Sequence, residues 1–137
     1  MSDAKRTLQL WQLLARVRGL RVERKRRALA DAQRAAREAD DEAERSRAAL
    51  REHQVQRGRL LQSCSHGERT GQLWRDALRW HDARKDALLR VLAGAMQRQR
   101  AAAGQLMRAS ASLQREMAGQ NDAQQRVRRL KAAAHDE

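Results

Sequence analysis

The chain has no Pro, no Phe and no Tyr, a single Cys, Cys64, and three Trp in 137 residues. Without Pro, nothing in the sequence forces a break or kink in a helix. One Cys excludes an intramolecular disulfide framework. Much of the 41% hydrophobic content is Ala, which adds little buried area. The large side chains that build a thick globular core are therefore missing. No run approaches the roughly 20 apolar residues that a transmembrane helix needs. Arg16 and Arg18 interrupt the apolar stretch from Leu8 to Leu20, so no secretory leader is expected, and the expected compartment is the cytosol.

What is present is helix-forming and basic. Ala, Leu, Arg and Gln dominate, charged residues make up 34% of the chain, and the net charge is +13. This composition belongs to long helices and coiled coils. The charge is uneven: residues 1–30 carry nine Lys or Arg against two acids and residues 96–137 eight against four, whereas residues 31–60 balance at seven against seven. If the two ends of the chain lie together, they form one strongly positive pole.

Hydrophobic spacing places that helix in two arms. In the first half, Leu10, Leu13, Val17 and Leu20, then Ala28, Ala32, Ala35, Ala39, Ala43, Ser46, Leu50, His53, Arg57 and Leu60, recur at largely helical spacing and predict one face. In the second half the period is close to 3.5 residues: Trp74, Leu78, His81, Lys85, Leu88, Leu92, Ala95, Gln99, Ala102, Leu106, Ala109, Leu113, Met117, Gln120, Ala123, Val127, Leu130 and Ala134. Between them lies QSCSHGERTG, Gln62 to Gly71, the one cluster of Ser, Gly and Thr. There Ser65 with Glu68 reads as a capping box and Thr70 as a second cap, while Ser2 or Asp3 caps the first helix.

The predicted fold is all-α, a long antiparallel coiled-coil hairpin. Arm one covers about residues 4–62, the turn about 63–70 and arm two about 71–134, each arm about 90 Å long. Folding about that turn is expected to set Leu60 against Leu73, Ala43 against Leu88, Ala39 against Leu92, Ala28 against Leu106, Leu20 against Leu113 and Val17 against Met117. Small side chains of one arm would then meet large ones of the other. A parallel homodimer would stack Ala on Ala through the middle of arm one, so a monomer is expected. His53 and His81 are expected to meet across the hairpin and fix its register; their protonation would loosen the tip.

Several large residues fall off this seam, among them Leu8, Trp11, Leu14, Val55, Trp80 and Met107. Trp11 and Trp80 suit partner contacts; the alternative is that each lies along a neighbouring Arg stem. The acidic run ADDEAE, Ala39 to Glu44, reads as a solvated face answered by Arg45, Arg47 and Arg51. Cys64 and His66 are two ligands at most and make no zinc site. No Gly-rich phosphate loop, nucleophile elbow or paired acids appear, and a two-helix rod has no cavity to dry out a reaction, so no enzymatic activity, cofactor or metal is expected. Arg24, Lys25, Arg26 and Arg27 raise nucleic-acid binding. They sit within helical heptads and lack interleaved aromatics, so salt-sensitive, non-specific binding is expected. Residues 5–22, basic with Trp11 and several Leu, raise membrane-surface association as a further alternative; no membrane insertion is expected.

The segment LARVRGLRVERKRRAL, Leu14 to Leu29, resembles the opening of the stalk proteins of type III secretion, the YscO/SctO group, and more distantly the flagellar export protein FliJ. The likeness covers about a tenth of the chain by motif and the whole of it by architecture: similar length, a basic Arg/Gln/Ala-rich composition and two long helices. It implies a hairpin similar to the central stalk of rotary ATPases, whose terminal end enters a hexameric secretion ATPase while the remainder reaches toward an export gate protein and can contact secretion chaperones, at the cytoplasmic face of a membrane-embedded apparatus. Carried onto this sequence, the ring-entering end is Leu10 to Arg27 with Gln120 to Ala134, and the far end surrounds Cys64 to Trp80. The expected ring contacts are Leu10, Leu14 and Val17 with Arg21, Arg24, Arg27, Arg126 and Arg129. Trp74 and Trp80 are the expected gate or chaperone contacts. The rival from another class is a basic coiled-coil protein that dimerises through single helices and binds nucleic acid or acts as a scaffold.

Overall fold

The computed structural model describes residues 2–65 and 71–136. Within them the chain is all-α: α1 spans Asp3–Ser65 and α2 spans Gly71–His135. The Ser2 hydroxyl accepts the Lys5 amide N–H at 3.4 Å, satisfying one of the donors that a helix start leaves free. Asp3 in the first turn complements the helix dipole. α1 runs on through Ser65, into the stretch expected to turn. Ser65 therefore closes α1, while Glu68, Thr70 and His66 lie outside the described residues. No described residue has a positive φ.

The helices pack antiparallel as a helical hairpin, in two compact units: Met1–Arg34 with Gly104–Glu137, and Ala35–Ala103. In the second unit, Ala39, Ala43, Ala95 and His53 are buried. Ala has one methyl to hide, and with only two helices present it is covered only where the facing helix comes close. Asp40 Oδ1 accepts from Gln99 Nε2 at 2.8 Å, and the Glu42 carboxylate takes two donors from Arg98, Nε at 3.3 Å and Nη2. Arg57 Nε reaches Asp82 at 3.2 Å.

These crossings correct the expected register. Residues beside Ala39 and Ala43 meet Arg98 and Gln99, further along α2 than Leu92 and Leu88. Apart from His53 the fully buried side chains of this unit are Ala on both helices, while Leu88 and Leu92, expected against Ala43 and Ala39, are only half-buried. Leu73, expected against Leu60, is exposed, and so is Lys85.

In the first unit, Val22 and Ala123 are buried, with Leu8, Trp11, Ala15, Arg18, Lys25 and Leu29 half-buried on α1 and Leu106, Leu113, Gln120, Val127 and Leu130 on α2. The α1 series alternates steps of three and four and continues in phase to Ala32, Ala36, Ala39 and Ala43. The expected face at Leu10, Leu13, Val17 and Leu20 is not the seam: these residues are 67%, 57%, 37% and 69% exposed. Of their expected partners, Met117 is exposed whereas Leu113 is half-buried; Ala28 and Ala134, also expected on the seam, lie in solvent. The expected face jumps from Leu20 to Ala28 and so loses phase with the alanine stretch downstream; the observed seam keeps it.

Candidate partner interface

One hundred degrees of rotation per residue puts Leu10, Leu13, Val17 and Leu20 roughly opposite Ala15 and Val22. α1 in the first unit is therefore apolar on two faces, one covered by α2 and the other open. Arg6, Arg24 and Arg27 extend the open stripe at the same three- and four-residue steps, and Arg16 and Arg21 flank it; all five are exposed. Most of this basic density is uncompensated. Arg26 pairs with Glu23 at 3.4 Å and Arg34 with Asp31, both one helical turn away, and such exposed pairs contribute little to stability.

The residues expected to contact a ring converge in this unit. Leu10, Val17, Arg21, Arg24 and Arg27 are exposed on α1, Leu14 is half-buried, and Arg126 and Arg129 are exposed on α2. Trp11 is half-buried, with the Arg126 guanidinium carbon 4.6 Å from its ring centroid. That cation–π stack realises the alternative for Trp11, an indole lying against an Arg, and is worth about 0.5–1 kcal/mol at an exposed site.

Trp74 and Trp80 belong to the other unit. Trp80 is 62% exposed and presents its ring edge-on to His81, 5.1 Å between centroids. Trp74 is half-buried, and its indole Nε1 is buried without a hydrogen-bond partner. In the same unit the imidazoles of His53 and His81 lie 5.0 Å apart, the meeting expected from the sequence. His53 is 4% exposed.

The acidic run Ala39 to Glu44 has a second use that the sequence reading missed. Glu44 pairs along its own helix with Arg51 at 2.9 Å and Arg47 at 4.0 Å, as expected of a solvated face, but Asp40 and Glu42 reach α2. The Arg98 hydrogen bond, against the opposing effect of burial and with the charges of Arg98 and Arg45 adding, holds the Glu42 carboxyl below its ordinary range. The hydrogen bond and charge of Arg51 do the same for Glu44. A charged pair only three to four residues apart is visible in sequence; a pair joining Glu42 to Arg98 depends on the register and is not.

Among the described residues, no cluster of three or more His, Cys, Asp or Glu is placed to hold a metal, and no helix is long and apolar enough to cross a membrane. The chain matches no family model, curated protein or solved structure.

Proposed function

We propose that the protein is a stalk component of a type III protein secretion apparatus, whose first unit inserts into a hexameric secretion ATPase and promotes its activity. The carrying observation is the doubly apolar α1 of that unit: Leu10, Leu13, Val17 and Leu20 stay open to solvent although α2 packs on the opposite face. An apolar stripe left unpaired on a two-helix unit fits a partner that surrounds it. The unit joins both basic ends of the chain, sixteen Lys or Arg against seven Asp or Glu over residues 1–34 and 104–137. This complements a pore lined by acidic loops and steers the encounter.

Arg21, Arg24, Arg27, Arg126 and Arg129 supply the charged contacts, and Leu10, Leu14 and Val17 the apolar ones. A hairpin lacks the symmetry of a six-membered ring, so it contacts the subunits unequally. Unequal contact favours some subunit states over others, and this differential affinity is what promotes turnover. In the other unit, exposed Trp80 and half-buried Trp74 are the contacts for an export gate protein or chaperone, on the cytoplasmic side of the apparatus.

The test is ATPase stimulation by purified protein. Reversing the charge of Arg21, Arg24, Arg27, Arg126 and Arg129 together is expected to abolish stimulation and ring binding while circular dichroism stays helical. Undiminished stimulation by the folded variant sinks the assignment. A salt-sensitive dimer on nucleic acid that leaves the ATPase untouched supports the rival, for which Arg24 to Arg27 are the exposed basic run.

A further inference from the structure

Beside the seam of the first unit, a groove of about 380 Å³ is lined by Trp11, Arg18, Gly119, Asp122, Arg126 and Arg129, among others. Three arginines line it against one aspartate, and none of the three is in an ion pair among the described residues. Arg18 Nε is buried without a hydrogen-bond partner. An N–H donor withdrawn from water and left unmatched is costly. The Arg126 guanidinium carbon lies over the Trp11 ring, a contact that uses none of its N–H donors.

Gly119 makes the arrangement possible. A Cβ there would collide with Arg18 Nη1, the far end of a long side chain. The absent methyl is what lets the guanidinium lie against α2 at this point.

We propose that this groove is a phosphate seat, binding the phosphate group of a small molecule through Arg18, Arg126 and Arg129. The net charge of its lining, three cations less Asp122, is two positive. That matches a phosphate monoester, which carries about −1.5 to −2 at neutral pH and has three acceptor oxygens. A lone carboxylate would neutralise half of it. The forked N–H groups of Arg suit such an oxyanion. The volume exceeds that of bare phosphate and leaves room for the group that bears it. The site shares Arg126 and Arg129 with the proposed ring contacts but uses none of the open stripe of α1, and its binding test does not require the secretion reading.

The full chain, titrated with inorganic phosphate and separately with adenosine monophosphate, is followed by the indole N–H resonance of Trp11. A saturable shift with either ligand is expected. Equal affinity assigns recognition to the phosphate alone, and tighter binding of the nucleotide assigns the remaining volume to its nucleoside. Gly119→Ala, a helix-favouring change that displaces only the Arg18 guanidinium, is expected to weaken binding on the order of tenfold with helicity retained. Arg18→Gln is expected to do the same. Arg115→Gln, which removes an equal charge outside the groove, is expected to leave the shift intact. The proposal fails if no saturable shift occurs, if acetate produces the same shift, if Gly119→Ala binds normally, or if Arg115→Gln weakens binding as much as Arg18→Gln.

Discussion

His53 Nε2 lies 2.8 Å from the main-chain carbonyl oxygen of His81. A carbonyl only accepts, so Nε2 carries the proton and donates across the pair of helices. The acceptor is backbone and every amino acid supplies it. The specificity of the contact therefore resides in His53, the one buried polar side chain among the described residues.

The two histidines should differ under mutation. His53→Ala removes a buried ring and its hydrogen bond and is expected to cost about 2–3 kcal/mol. His81→Ala keeps the carbonyl and is expected to cost about 1 kcal/mol or less. Thermal melts at 222 nm compare them. Equal losses would place the important interaction in the ring contact and not in the hydrogen bond.

Acid should weaken the fold through Glu42 and Glu44. Both carboxyls are held below their ordinary value of 4.5. Their contribution is therefore complete above that value and disappears as pH falls through the depressed folded values. Glu44 is exposed and Glu42 partly so, so the effect is modest and shrinks with added salt. Glu42→Gln should flatten the loss of stability below pH 4.5 when denaturant midpoints are measured against pH.

Close approach at the buried alanines predicts a size limit. Ala43→Leu or Ala95→Leu should destabilise by about 1–3 kcal/mol, because each added side chain must push the helices apart or adopt a poor rotamer. Ala48→Leu, at an exposed position of α1, should change stability by less than about 0.5 kcal/mol. Chemical denaturation of the three variants gives the comparison.

The two faces of α1 should respond in opposite ways. Val22→Ala truncates the largest fully buried side chain and should cost about 2 kcal/mol. Leu13→Ser and Leu20→Ser lie on the open stripe and should each leave folding stability within about 0.5 kcal/mol. If the open-stripe variants melt as early as Val22→Ala, that stripe is part of the fold and is no free interface.

The sequence made the two-helix hairpin and the meeting of His53 with His81 legible, because absent Pro and helical periodicity are local signals and the two helical faces match when folded together; the expected turn falls mostly outside the described residues. It misled at α1, where Leu10, Leu13, Val17 and Leu20 form a greasier series than Trp11, Ala15, Arg18, Val22 and Lys25. Hydrophobicity ranks the first series higher, yet the second is in phase with the alanines downstream and is the one α2 covers. A long Arg or Lys can line such a seam with its methylenes and keep its charge at the edge. The Arg18 groove was illegible for a related reason: its members come from distant parts of the chain and depend on a missing methyl at Gly119.

Trp11 and Arg126 stack although they stand near opposite ends of the sequence. At roughly 5–20 residues per second of synthesis, the indole emerges on the order of ten seconds before the guanidinium that covers it. Until then the leading arm is a solitary helix with both greasy sides wet. A nascent chain of this design therefore has a vulnerable interval during translation, in which an early-binding escort would have its best access.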